Sequence, residues 1–286
     1  MIELFTADTP NGKKITIMLE EIGCDFKVTK IDLSKDEQFK TDFKKISPFG
    51  KIPVIIDHEN GQSLFESGAI LIYLAEKYNK FYETKDRNVI NQWLMAQMGI
   101  IGPMIGQHHQ FHHYNPGKSE FGEERYFKIT KRIYSELDER LSSSKYLAGN
   151  EYTIADIATW PWIARHEWHD IGLKNYNNLT RWYLDIAKRE AVIKGYDLSN
   201  NGSPKPIGIC LACTVIRAPQ ESPSRRKASM YDSNWAIIVW FGAKKGLLET
   251  TEADVLVLAL EDIITAIEKG DFVIVDVDTV EPGGKP

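Results

Sequence analysis

The sequence predicts an α/β domain of about eighty residues followed by an all-helical region. Three observations carry this. Apolar periodicity alternates between strand and helix from residue 2 to residue 78, in the order β-α-β-α-β-β-α. Turn and cap signals punctuate that stretch at Thr9-Pro10-Asn11-Gly12, Gly23 and Asn60-Gly61. From Glu83 to about Ile193 the periodicity is helical throughout.

Residues 2–5 read as a short strand. The helix that follows places Ile15, Met18, Leu19 and Ile22 on one face and stops at Gly23. Residues 26–31 alternate as a second strand, and residues 36–45 read as a short polar helix. Residues 52–56 form a buried strand, and Asn60-Gly61 turns it into a hairpin with residues 63–65. A helix over residues 67–78 points Leu71, Leu74, Ala75 and Tyr78 inward. In the helical region, Ile129, Ile133, Leu137 and Leu141 mark one long amphipathic helix. Thr153-Ile154-Ala155-Asp156 is a capping box, read as a helix starter without chemistry, and Pro161 lies in the first turns of that helix or kinks it. After Gly195 the texture changes. Residues 200–206 and 218–227 are linker-like, residues 235–241 strand-like, residues 251–269 helical with Gly270 as stop, and residues 272–277 a candidate last strand. The expected division is 1–80, 83–196, and a linker with an extension of unassigned fold over 197–286.

At 286 residues, 43% hydrophobic and 26% charged, the composition is that of a soluble globular chain. A net charge of −5 gives no reason to expect nucleic acid or an anionic membrane as partner. No apolar run approaches the roughly 18 residues of a membrane helix. The first residues enter a strand pattern without a basic leader, so no signal peptide is expected. Three cysteines (Cys24, Cys210 and Cys213) are too few for a disulfide framework, which fits a reducing cytoplasm. Thiol chemistry would then use a thiol brought in as ligand.

Three motifs point to such a ligand. A thiol becomes a good nucleophile on ionisation, and a helix N-terminus favours an anion through its free amides and partial positive charge. Thr9 and Asn11 stand at such an N-terminus and can donate hydrogen bonds to sulfur. Neither is cysteine, which excludes a Cys-x-x-Cys redox pair there. In Lys51-Ile52-Pro53, a cis-proline before a strand would free the amide and carbonyl of Ile52 to pair with an extended peptide. In Phe65-Glu66-Ser67-Gly68, Ser67 as an N-cap can hold a carboxylate and Glu66 an ammonium. A ligand with an amino-acid end, an extended backbone and a thiol fits glutathione.

The runs Thr9–Thr16, Ile46-Ser47-Pro48, Lys51-Ile52-Pro53 and Phe65–Ile70 resemble those of the glutathione transferases, most of all the bacterial Nu-class, which reduces disulfides with glutathione. Gly106–Phe111, Glu124-Arg125-Tyr126 and Tyr152–Trp162 are similar to that class too, so the resemblance covers about residues 1–196. It implies a thioredoxin-like domain joined to an all-α domain, usually as a homodimer. It implies glutathione held through Thr9, Asn11, Gln38, Lys51, Ile52, Pro53, Glu66 and Ser67. It also implies that Arg132 reaches a glutathione carboxylate, in the same chain or across a dimer. Members of the class finish soon after residue 190, so residues 197–286 depart from the pattern.

His108, His109, His112 and His113 have a spacing that can bind zinc or nickel, but with no acid or cysteine nearby they are read, with Tyr114, as the mouth of a second-substrate pocket. Cys210 and Cys213 stand without a supporting second pair and are read as buried thiols, and Cys24 as core. Trp160, Trp162, Trp168 and Trp182 are read as packing of the helical region. The functional expectation is a glutathione-dependent thiol/disulfide oxidoreductase without metal. The alternatives are a general conjugating transferase and a non-catalytic regulator with the same fold.

Overall fold

The computed structural model describes residues 1–196. The expectations for residues 197–286, with Cys210 and Cys213 among them, lie outside the described residues.

The first half is a four-stranded mixed sheet with helices on it. Its elements are β1 (Ile2–Thr6), α1 (Pro10–Ile22), β2 (Phe26–Lys30), α2 (Thr41–Ile46), β3 (Val54–Asp57), β4 (Gln62–Phe65) and α3 (Ser67–Tyr78). The strand order is β2-β1-β3-β4. β1 runs parallel to β2, with Ile2 opposite Phe26, and antiparallel to β3, with Leu4 opposite Ile55. This is a thioredoxin-like domain. Two elements differ from their sequence patterns. The polar helix expected over 36–45 divides into a tight turn, Glu37–Phe39, and α2, because Asp36 is left-handed (φ 54°) and Lys40 is extended. The strand expected from residue 52 starts at Val54, since Pro53 has no N–H for the ladder.

The second half is helical: α4 (Arg87–Ala96), α5 (Gly102–His108), α6 (Glu120–Ser142), α7 (Ile154–Ile163), α8 (Asn177–Ala187) and α9 (Glu190–Tyr196). Wide π-type turns, Gln97–Ile101 and His109–Tyr114, precede and follow α5. The helical course therefore continues past Gly106 to Tyr114.

The two halves share α1. Its predicted face, Ile15, Met18, Leu19 and Ile22, packs with Leu4, Ile55, Leu71 and Leu74 in the core of the sheet domain. Its other face, Lys13, Lys14, Thr16 and Ile17, is equally buried, because α7 and α9 lie against it. A Cβ on Gly195 of α9 would stand 2.6 Å from the Ile17 Cα, so only glycine permits this approach. The Thr16 hydroxyl donates to the Gly195 carbonyl. Arg189 forks onto Glu21 with N···O distances of 2.5 and 2.7 Å.

The helical core turns on the capping box of α7. The Asp156 carboxylate accepts from the Thr153 amide (3.0 Å) and hydroxyl, from the Leu147 amide (2.9 Å) and from the Trp182 indole (2.8 Å). Burial pushes this carboxyl up to about 6 despite the four donors. Asp156→Ala orphans those buried donors, and we expect a loss of about 3 kcal/mol or more in urea unfolding at pH 7.

Candidate functional site

The mouth of α1 is built by its cap. Pro10 opens the helix with a fixed φ and no N–H to satisfy. The Thr9 Oγ1 accepts from the Gly12 amide at 3.1 Å, and the Thr9 carbonyl accepts from the Lys13 amide at 2.9 Å. Of the first-turn amides this leaves Asn11 N–H, which has no partner among the described residues. The Thr9 O–H also remains available to donate, since its oxygen is used as an acceptor. Gly12 is required here: a Cβ would lie 2.4 Å from the Ala7 carbonyl oxygen. The Asn11 side chain is held by its oxygen, which accepts from the Trp162 indole N–H at 3.2 Å. Three donors therefore remain at one helix end: Thr9 O–H, Asn11 N–H and Asn11 Nδ2–H.

The loop before β3 is held by one hydroxyl. Buried Ser47 Oγ donates to the Lys51 carbonyl (2.7 Å) and accepts from the Lys51 amide (3.0 Å). Ile52-Pro53 is cis. The Ile52 amide and carbonyl lie outside the ladder, which begins at Val54. Gln38 is buried in the Glu37–Phe39 turn, and its Nε2 donates to Asp36 at 3.4 Å.

At the third motif Glu66, not Ser67, is the cap of α3, and Ser67 is its first residue. Glu66 has φ 69°, a conformation that a non-glycine residue adopts at a cost and that recurs at functional sites. The Ser67 hydroxyl is met from below by Lys14, a residue on which the helix pattern is silent. Lys14 is 1% exposed. Its Nζ donates to Ser67 Oγ at 3.2 Å and to Gln97 Oε1 at 2.6 Å, Gln97 being the first residue of the π-type turn. Burial drives the Lys14 amino group well below its ordinary value.

Arg132 is 70% exposed on α6 and pairs with Glu136 at 3.5 Å. The histidines do not line a pocket mouth as a group. His108 and His109 are buried. His109 stacks on Trp162, with ring centroids 5.9 Å apart, and its Nε2 meets His169 Nε2 at 2.6 Å. The Tyr134 hydroxyl meets His169 Nδ1 at 2.6 Å. His113 stacks on Trp168 at 4.1 Å. Among the described residues no group of His, Cys, Asp and Glu is placed to hold a metal ion. Trp160 and Trp182 are core, as expected; Trp162 faces the α1 end instead. The signal for it was α7 itself, buried along its whole length, where an indole N–H must find a partner inside the protein.

Fold and helix end together define a two-domain, thioredoxin-like protein of glutathione transferase architecture, with no cysteine at the mouth of its first helix. The chain belongs to the glutathione S-transferase family: residues 2–76 match the family's N-terminal domain and residues 95–190 its C-terminal domain. It is 46% identical over 198 residues to the disulfide-bond oxidoreductase YfcG of Escherichia coli K12, across 67% of this chain and 92% of that protein. Among solved structures, a family member from Pseudomonas fluorescens Pf-5 with two glutathione bound is 39% identical, with a TM-score of 0.65, over 68% of this chain and 92% of its own. A glutathione transferase from Pseudomonas putida, with one glutathione disulfide bound per subunit, is 37% identical, with a TM-score of 0.65, over 69% of this chain and 91% of its own.

The buried rings give the fold a pH signature. Burial pushes His109 down to about 3 and His166 to about 4, and lowers His108 and His169 as well. Unfolded, each ring takes up a proton below its ordinary value of 6.5. The stability they contribute is therefore present above about pH 6.5 and is lost as pH falls toward 4 and 3. Asp156 acts in the opposite sense, its raised carboxyl favouring the folded state below about pH 6, but one carboxyl is outweighed by four rings. Urea unfolding at pH 5 is expected to return a stability at least about 2 kcal/mol below that at pH 7; an unchanged midpoint would contradict neutral, buried rings.

Proposed function

We propose that the chain is a glutathione-dependent thiol/disulfide oxidoreductase. The observation that carries this reading is the α1 end, where Thr9 O–H, Asn11 N–H and Asn11 Nδ2–H are left as donors with no cysteine among them and the neighbouring cations Lys13 and Arg165 are paired with Asp8. Those donors favour the thiolate over the thiol of bound glutathione. Ile52 beside cis-Pro53 pairs with the peptide backbone, with Lys51 and Gln38 along it. Glu66 and Ser67 hold the γ-glutamyl end; without ligand the Ser67 hydroxyl accepts from Lys14 at 3.2 Å and donates to Met98 Sδ at 3.6 Å, a weak acceptor that a ligand carboxylate would replace.

In the reaction the glutathione sulfur attacks one sulfur of a disulfide. A new S–S bond forms, the old one breaks, and the departing thiolate takes a proton from water. A second glutathione thiolate then attacks the mixed disulfide, giving glutathione disulfide and the second thiol. The relatives with two glutathione molecules, or one glutathione disulfide, support room for that partner. Conjugation to an electrophilic carbon uses the same thiolate and is the second reading.

We also propose a homodimer working in the cytoplasm. Exposed Phe65, Met95 and Ile100 offer apolar surface for a second copy, and the exposed Arg132 would meet a glutathione carboxylate of the partner across that dimer. Arg132→Ala should then weaken glutathione binding about tenfold, in line with the loss of one charged hydrogen bond, and leave sedimentation unchanged.

The assay that tests the main reading compares 2-hydroxyethyl disulfide reduction with 1-chloro-2,4-dinitrobenzene conjugation. Disulfide reduction is expected to be faster, and a reversed ratio would favour the second reading. Thr9→Ala/Asn11→Ala should lower kcat/KM by about 10–100-fold or more, since each donor to an anion contributes about 1.5–3 kcal/mol. Glutathione binding by titration without turnover of either substrate would mark a regulator instead.

A further inference from the structure

The Asn11 carboxamide has two faces, and only one can donate. What decides which face meets the sulfur lies in the other half of the protein. Trp162 is on α7, 151 positions from Asn11, and its Nε1–H stands 3.2 Å from Asn11 Oδ1. An indole N–H is a donor and nothing else, so the carboxamide must turn its oxygen toward it. Nδ2 then carries both its protons away from the indole, and no acceptor among the described residues takes them. Without the indole, the carboxamide can present its oxygen to the sulfur, a repulsive arrangement for a thiolate.

The indole itself is fixed. It is 8% exposed. It stacks on His109 with an interplanar angle of 18°. A Cβ on Gly102 or Gly106 of α5 would stand 3.5 and 3.4 Å from it, ordinary contact distances, so α5 walls one side of the slot that holds the ring. His109 is held in turn by His169 and Tyr134. We propose that Trp162 is a positioning residue for thiolate formation: it orients the Asn11 carboxamide so that Nδ2 donates to the glutathione sulfur. This rests on the reading of the α1 end given above.

The test is Trp162→Phe, which keeps a ring in the slot and removes the N–H. The readout is the absorbance of the enzyme-bound glutathione thiolate near 240 nm across a pH titration. The bound thiol pKa is expected to rise by about one unit, a tenfold loss of thiolate at fixed pH. Disulfide turnover should fall by a similar factor below that pKa and recover above it. Affinity for S-methylglutathione, which has no thiol to ionise, should not change. Asn11→Ala should raise the pKa as much or more, and adding Trp162→Phe to it should give no further rise. Trp160→Phe serves as the structural comparison: it loses the indole bond to the Tyr183 carbonyl (3.0 Å) and should lower Tm without moving the thiol pKa.

An unmoved thiol pKa in Trp162→Phe, with a raised one in Asn11→Ala, overturns the proposal and leaves the α1 reading intact. An unmoved pKa in Asn11→Ala overturns the α1 reading itself. Should Trp162→Phe not fold, ¹⁵N spectra of the unsubstituted protein decide. One indole N–H resonance should shift both on Asn11→Ala and on ionisation of bound glutathione, and the absence of any such resonance overturns the proposal.

Discussion

Everything at the site depends on α1 being enclosed on all sides. A helix on a sheet ordinarily buries one stripe and leaves the rest to solvent. Here α9 closes over the outer face through Gly195, α7 lies beside it, and Arg189 locks its C-terminal half through Glu21. The N-terminal turn is therefore held from behind by the sheet and from the front by the helical domain. A hydrogen-bond donor that must meet a sulfur within a few tenths of an ångström needs this kind of fixing. It also explains why both lysines of the first turns are buried, an arrangement that costs desolvation and that a free-standing helix would not accept.

Neutral donors suit the chemistry better than a cation would. A fixed positive charge beside the sulfur would stabilise the thiolate strongly but would also weaken it as a nucleophile, since nucleophilicity falls with pKa. On the proposed reading, a hydroxyl, one backbone amide and a carboxamide at a helix end would lower the thiol pKa only moderately. In disulfide exchange the attacking thiolate and the leaving thiolate are chemically alike, so moderate lowering serves both directions. The cation nearest the helix end by sequence is Lys13, and it is drawn onto Asp8 at 2.9 Å; Arg165 lies on the same carboxylate at 3.9 Å. That carboxylate keeps two positive charges occupied just outside the thiol end.

The local parts of this arrangement are legible in the sequence, because each is written in adjacent residues. Thr9-Pro10-Asn11-Gly12 announces a capped helix start, Asn60-Gly61 a hairpin, Thr153 and Asp156 a reciprocal cap, and the structure has each in place. The family was likewise legible from short motifs, and the family match bears that resemblance out. What was not legible is what depends on the second half folding over the first. Periodicity gives α1 one buried face, Ile15, Met18, Leu19 and Ile22, and is silent on Lys13 and Lys14, since nothing local says that α7 and α9 will cover their side. It reads Trp162 as packing, because the partner of its N–H is in the other domain. The histidines failed for a related reason: spacing shows which rings share a helix face, but His169, which organises them, comes from a separate turn after α7.

The buried groups that sequence reasoning missed are also those that tie the halves together. Lys14 reaches from α1 to Ser67 at the start of α3 and to Gln97 in the helical domain. Trp162 reaches from the helical domain back to Asn11. One link sits under the expected γ-glutamyl end of the ligand and the other beside its thiol. Lys14 makes two buried hydrogen bonds and Trp162 one that is partly buried, and an orphaned partner in such surroundings is costly. A shift of the helical domain relative to the sheet would therefore disturb binding and ionisation together, at opposite ends of the same ligand. The helical domain is thus more than a wall for the second substrate. Through Gln97, which accepts from Lys14, and Trp162, which donates to Asn11, it fixes two side chains of the sheet domain.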